Sequence, residues 1–301
     1  MPSLPLPGGG LTAARWRQLA AIAERDLCLV KVLEAHYDAQ AILAELGCDG
    51  IRPGELWAVW AAEPPDARLG VVVDGRGAGL LRGTKAWCTG ADIATHALVT
   101  AWQGDERYLV RVRMDEAGLS AAATEWPAVG MSRAVSGPLH FEDVPCTIVG
   151  GAGAYLARPG FWHGGAGIAA CWYGGACAVT EVLRRHPRVR GNPLAAMHLG
   201  AIDIALAGCA AMLRTSSEAI DAEPGQPQTL AVLRLRCAVE RAATVAIDRV
   251  GRALGAGPLC TDVAHAQRCA DLATFVRQSH ADRDWQDIGE FVAGEADPWR
   301  F

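Results

Sequence analysis

Residues 80–92, LLRGTKAWCTGAD, are the stretch around which the chain is organised. Gly83, Thr84 and Lys85 read as a turn, and Trp87, Cys88 and Thr89 follow as an indole, a small thiol and a hydroxyl. Strand-like runs stand on either side, LGVVV at 69–73 and ALVTAW at 97–102, and long helical segments flank the whole region. A polar, aromatic-bearing strand end set between helical segments makes a wall for a flat, partly polar ligand. The competing reading of the same residues is an ordinary β-hairpin with a buried Trp87.

Working outward, short strands recur at 69–73, 80–89, 97–102, 108–114, 119–124 and 136–141, after a β-like start at residue 56 that stops at Pro64 and Pro65. Turn residues separate them at 74–77, 103–105 and 115–118. This spacing predicts a small antiparallel sandwich or barrel. The run 108–113 alternates cleanly and places Arg111 and Arg113 on one face, which is exposed or meets an anion.

Helical periodicity holds on both flanks. Thr12 is placed to cap a first helix, and a second runs from Val30 to near Gly47. On the second, His36 with Glu34 and Asp38 reads as a solvated face, because no further ligands stand at metal-site spacing. After Pro145 the spans 164–183, 193–214, 228–254 and 262–280 predict four long helices, the first Gly/Ala-rich enough for another backbone to approach closely. Residues 284–301 read as a tail closing over the surface. The fold class is therefore α+β, with a short helical region at 1–55, a β-domain at 56–149 and a helical bundle at 150–301.

The 301 residues are enough for a large core, and the formal charge of −5 excludes the concentrated basic face of a nucleic-acid binder. The one basic cluster, RRHPRVR at 184–190, contains Pro187 and reads as a helix end and loop. The ten tryptophans point to core filling, with several free to line a cavity. The ten cysteines form no CxxC pair, and the opening MPSLPLPGGG lacks a leader's basic and apolar regions. Reduced, mostly buried thiols in a cytoplasmic protein are the expectation, and no uninterrupted apolar run reaches membrane length. Dinucleotide-fold, Walker, GxSxG and HExxH patterns are all missing from the sequence.

The order of elements and four local motifs resemble the acyl-CoA dehydrogenase superfamily of flavoproteins. WAAEPP at 60–65 is similar to that family's TEP segment, and GTKAWCTGAD at 83–92 to its G-x-K-x-x-I-T-N-A-x-x-A-D segment. HFEDVPC at 140–146 is similar to its F-x-D-V-x-V-P segment. Residues 251–271 match, without gaps, its Gly-Gly loop and the helix leading to an Arg-Asp pair. The resemblance covers most of residues 10–280, in a short and divergent form.

The resemblance implies FAD as cofactor, with FMN or an empty site as variants, and a homodimer or homotetramer. It implies a small-molecule or acyl-thioester substrate, no nucleic acid and no membrane span. Trp87, Cys88 and Thr89 would lie beside the flavin ring, with Thr89 near N5, while Gly255 and Ala256 would approach the cofactor's pyrophosphate or adenosine. Several positions depart from the family pattern. Ala62 replaces the Thr of the TEP segment, Arg68 falls in place of a phosphate-facing Gly-Ala-Gly-Ser loop, and Arg252 stands where the family has Gln. The catalytic Glu is absent: Ser279 occupies its position with His280 adjacent, and the alternative location holds Phe161, Trp162 and His163. His280 and His163 are the candidate bases. The implied activity is an FAD-dependent oxidoreductase of acyl-CoA dehydrogenase type with an unusual base. Its alternatives are a flavin monooxygenase of the same fold, which needs no α-proton base, and a non-catalytic member.

Overall fold

The computed structural model describes residues 3–64, 67–121, 126–280, 282–295 and 299. They form two compact units. The first takes the described residues of 31–128 and 132–161 together with 3–6; the second takes 7–30, 129–131 and those from 162 onward.

Two helices open the chain, α1 (Thr12–Arg25) and α2 (Leu27–Glu45). Thr12 is not the cap of α1 but its first helical residue. The Asp221 carboxylate, far along the chain, takes the Gly10 and Thr12 N–H groups at 3.0 Å each and the Thr12 hydroxyl at 2.6 Å. A carboxylate meets both the unpaired N–H groups and the positive end of the helix dipole, so it displaces a local cap. His36 on α2 also departs from the solvated face read from the sequence. It is buried, and its Nδ1 accepts a hydrogen bond from the Trp57 N–H at 3.2 Å. Among the described residues, no group of three His, Cys, Asp or Glu side chains has metal-site geometry.

Seven strands make the sheet of the first unit: β1 (Trp57–Trp60), β2 (Gly70–Val73), β3 (Ala78–Lys85), β4 (His96–Gln103), β5 (Glu106–Arg113), β6 (Leu119–Ala121) and β7 (Leu139–Gly150). The consecutive pairs β2–β3 and β4–β5 are antiparallel, as are β3–β7, β5–β7 and β6–β7. β1 and β2 run parallel to β4. Strand β4 is buried on both faces. Ala97, Val99 and Ala101 join Trp60, Leu81, Cys88, Val110 and Phe141 in one core, while Leu98 joins Trp57, Leu109 and Val149 beneath Ile42 and Leu43 of α2. Burial of this apolar surface, worth about 25 cal/mol per Å², is what fixes the strand register.

After a short α3 (Ala154–Ala157) come α4 (Gly160–Arg185), α5 (Arg188–Gly191), α6 (Pro193–Ala222) and α7 (Thr229–Leu254). A short α8 (Gly257–Thr261), α9 (Val263–Phe275) and α10 (Asp282–Gly294) complete the second unit. The expected close approach on α4 is present: a Cβ on Gly174 would strike the Ala20 backbone of α1. The expected surface tail is helical as far as Gly294, and residues 296–298, 300 and 301 lie outside the described residues. Asp282 and Asp284 occupy the first turn of α10, where the dipole favours acids, and Asp284 is buried.

Two helices, α4 and α6, are long and apolar enough to cross a membrane by length and composition. In the most apolar stretch of α4, 67 % of the residues are buried in the fold, against 11 % for α6. His198 and Asp203 interrupt α6, which is why no unbroken run marks it in the sequence.

Candidate functional site

The wall begins where β3 ends. The strand stops at Lys85, four residues earlier than the sequence pattern indicates, and residues 86–90 form an irregular turn closed by the Cys88 N–H to Gly137 and the Gly90 N–H to Val135. Gly90 sits at φ +70°, a conformation that favours glycine. Trp87 is not the buried indole of a hairpin: it is 52 % exposed, with Trp126 edge-on at 6.4 Å. Cys88 beside it is fully buried. Its thiol donates to the Lys85 carbonyl, and burial pushes its pKa up to about 12, so it is a neutral filler rather than a nucleophile.

Thr89 is half-buried, and its hydrogen bonding has a fixed polarity. Ser136 Oγ donates to the Ala134 carbonyl at 2.9 Å, so the 2.7 Å contact between Ser136 and Thr89 requires the Thr89 hydroxyl to donate. The Thr89 Oγ1 lone pairs are left as acceptors. The Thr89 carbonyl receives the Trp60 indole N–H at 3.1 Å, and among the described residues the Thr89 N–H has no acceptor. One residue therefore presents a donor and an acceptor beside an exposed aromatic face.

Beneath the wall lies a buried charge network that the sequence did not reveal. Lys85 Nζ donates to the Thr100 carbonyl and hydroxyl at 2.8 Å each and lies 3.6 Å from Glu63 Oε1. Glu63 also receives the Thr100 hydroxyl at 2.6 Å, and Arg107 Nη2 lies 2.8 Å from its other oxygen without hydrogen-bond alignment. Glu63 and Lys85 belong to the AAEPP and GTK motifs, which was the available signal. The network ties the end of β1 to the start of the wall. Burial pulls the Lys85 ammonium down from 10.5 to about 8, against the opposing pull of Glu63. Between those two pH values the unfolded chain holds the proton and the folded chain does not. Stability from this site therefore rises with pH through that window, by about 3 kcal/mol in all. Lys85→Met is expected to abolish that rise, read as the difference between wild-type and variant urea-unfolding free energies at about pH 7 and about pH 10.5.

The two other expected cofactor contacts of the first unit border this network, Ala62 preceding Glu63 and Arg68 sharing the Trp102 ring with Arg107. Ala62 is exposed, as is Arg68, whose guanidinium donates to the Gly104 carbonyl and lies over the Trp102 ring at 4.2 Å. Pro65 and Asp66 lie outside the described residues. Arg113 pairs with Asp115. Arg111 borders an open cavity of about 930 Å³ with Arg52, Glu55 and His96, at the end of β4 away from the Lys85 network.

In the second unit, His163 is buried with Nε2 2.9 Å from the Gln226 carbonyl, so that nitrogen carries a proton and is committed. His280 is 72 % exposed, with Nδ1 3.5 Å from the buried Asp284 carboxylate; Arg236 approaches the other Asp284 oxygen at 4.0 Å. Ser279 directly precedes His280, after the short helical turn at 276–278 that follows α9. Arg252 is exposed and held by Asp248 at 2.7 Å. Gly255 terminates α7 at φ +73°, and Arg188 donates to the Ala253 and Leu254 carbonyls there, so Gly255 and Ala256 form the turn between α7 and α8. Arg188 belongs to the basic cluster, which is the expected helix end at 184–185 but then, in place of a loop, a two-residue link and the short helix α5.

No family model matches the sequence, and no curated protein matches it. Solved structures do. FMN-bound TdsC from Paenibacillus sp. A11-2 superimposes with a TM-score of 0.81 at 16 % identity, over 94 % of this chain and 84 % of that one. FkbI, for biosynthesis of a methoxymalonyl extender unit, gives 0.80 at 18 % identity, over 94 % and 85 %. A steroid acyl-CoA dehydrogenase variant gives 0.73 at 19 % identity, over 93 % and 88 %. The chain has the acyl-CoA dehydrogenase fold.

The acyl-CoA dehydrogenase fold expected from four motifs thus holds across nearly the whole chain, at identities low enough that only the fold carries over. Ser136 was missed because its role depends on Thr89, 47 residues away. Asp271 is buried and accepts from the Met131 N–H at 2.6 Å and from Gln267 at 2.8 Å. Met131 sits at φ +59°, so Asp271 secures a backbone turn that the chain would otherwise resist.

Proposed function

We propose that this protein is a flavin-dependent oxidoreductase that oxygenates a small substrate, rather than one that dehydrogenates an acyl thioester. The observation that carries the reading is the polarity at Thr89: an N–H donor and a hydroxyl fixed as acceptor beside the exposed Trp87 face. A flavin edge offers the matching set, a carbonyl oxygen to accept and, in the reduced ring, an N–H to donate. An acceptor-only hydroxyl favours the reduced form. Bound flavin would supply the electrons and the reaction with O₂. In the overall balance one oxygen atom enters the substrate and the other leaves as water.

The chain's own residues bind, orient and shield. Trp87 would cover a ring face and keep water from it, and the Thr89 N–H and hydroxyl would orient the polar edge. The neutral Cys88 packs behind without competing chemistry. His280 is the proposed proton carrier, because His163 is already committed and neither base position holds a carboxylate. Asp284 would hold the His280 ring in place. Two neighbours of the same fold support this choice of chemistry: TdsC is described as a dibenzothiophene monooxygenase, and KijD3 is solved with FMN and a dTDP-sugar.

The test supplies purified protein with FMN or FAD, a flavin reductase and NAD(P)H. Substrate-stimulated oxygen uptake with no bleaching by saturated acyl-CoA is the expected outcome. Anaerobic bleaching by an acyl-CoA would instead establish the dehydrogenase. Failure to bind either flavin would leave a non-catalytic member of the fold.

A further inference from the structure

The sheet face beneath α2 changes character toward one end. Leu98, Leu109 and Val149 are core residues on that face, packed with Ile42 and Leu43 of α2. Two residues further along their strands the same face carries His96, Arg111 and Thr147. Helix α2 stops at Glu45, and the link that follows it supplies Asp49, Arg52 and Glu55 instead of apolar cover. The result is the open cavity of about 930 Å³ at the end of β4 away from Lys85, within the size range of small-molecule sites.

Every guanidinium lining the cavity but one has an acid beside it. Arg113 donates to both oxygens of Asp115. Arg52 has Glu55 as its neighbour, and Glu55 also accepts the Arg52 N–H at 3.0 Å and the Trp57 indole N–H at 2.9 Å. Arg111 is half-buried, and among the described residues its guanidinium makes no hydrogen bond or ion pair. A half-desolvated cation without a counter-charge favours a bound anion. Thr147 stands directly opposite Arg111 on β7, and among the described residues its hydroxyl is also without a partner. Side chains so paired start about 5 Å apart. One carboxylate can therefore take two guanidinium N–H groups and the hydroxyl proton together.

The rest of the lining selects the ligand. Glu55, Asp115, Glu116 and the exposed Asp49 would repel a second negative charge, which disfavours a phosphate or a dicarboxylate. Trp57, Ala94, Met114 and Cys146 offer apolar surface, and burial pushes the Cys146 thiol up to about 11, so it is neutral. We propose that this cavity binds a small organic monocarboxylate, with its carboxylate on Arg111 and Thr147 and its apolar body against Trp57 and Met114. The proposal is independent of the flavin reading. His96 reports on occupancy. It stacks on Trp57 at 4.8 Å and stands below its ordinary pKa, through burial first and then, against Glu55, through Arg113 and Arg111. An anion on Arg111 removes part of that repulsion, so binding raises the His96 pKa.

Isothermal titration of the purified chain with benzoate and with hexanoate tests the site. Benzamide and inorganic phosphate are the controls, and circular dichroism confirms that each variant is folded. At least one of the two acids is expected to bind once per chain with a Kd of about 1 mM or tighter, and both controls at least about tenfold more weakly. Arg111→Met is expected to weaken binding by about tenfold or more, and Thr147→Val by about fivefold. Arg111→Lys keeps the charge but loses the planar fork, so it should fall between wild type and Arg111→Met. Histidine NMR, with His96 assigned from His96→Gln, is expected to show its pKa rising in the saturated protein. No binding of either acid at about 10 mM overturns the proposal. So does binding that Arg111→Met leaves unchanged, phosphate or benzamide bound as well as the acids, or a His96 titration that saturation does not move.

Discussion

Gly174→Val is expected to cost about 3 kcal/mol or more and to lower the melting temperature by about 10 °C, the largest stability loss foreseen here. At Gly174 the helix α4 meets α1 without a side chain between them. A Cβ there would strike the carbonyl oxygen, carbonyl carbon and Cα of Ala20. Backbone cannot swing aside as the end of a flexible side chain can, so the two helices would have to part. Gly175, next to it, packs against Leu27 and Leu272, so the separation would loosen a second contact as well. Gly251→Ala is the control. It also lies inside a helix, a Cβ there would meet nothing within 4 Å, and the change is expected to stabilise by up to about 1 kcal/mol. Differential scanning calorimetry of the two variants beside the wild type makes the comparison.

His280→Ala is expected to lower substrate-dependent turnover by about 10²- to 10⁴-fold while leaving the melting temperature and flavin affinity unchanged. The ring is largely exposed and, among the described residues, its one ion-pair partner is Asp284, so removing it opens no cavity and exposes no core. Added imidazole is expected to restore part of the lost rate, which a purely structural residue would not allow. Asp284→Asn should lose less activity than His280→Ala but more stability, because Asp284 is buried and also faces Arg236. Full turnover in His280→Ala would remove this histidine from the chemistry.

What the sequence showed and what it concealed separate by the distance over which residues act. Residues 108–113 betray their strand because alternation is local, and α4 betrays its close approach because glycine and alanine recur at helical spacing. The motif at 83–92 marks the end of β3 and the turn after it, yet the hydrogen bonding there depends on partners elsewhere in the chain. Lys85 reads as a turn cation, and only the folded sheet places it under Thr100 and Glu63. Thr89 reads as a free hydroxyl until Ser136 fixes its proton. The same holds for the structural surprises: Asp221 caps a helix some 209 residues earlier, and His36 is held by the backbone of β1. The parallel pairing of β1 with β4 leaves no local signature either, since it joins strands that are not neighbours in sequence.

Titrating the purified chain with FMN and with FAD, followed by flavin fluorescence and visible absorbance, decides whether the wall at residues 85–90 holds a flavin. One flavin per chain bound saturably, with an affinity at least about tenfold weaker in Trp87→Ala, is the predicted result. Folded protein that takes up neither flavin, or that binds one equally well without Trp87, would contradict it.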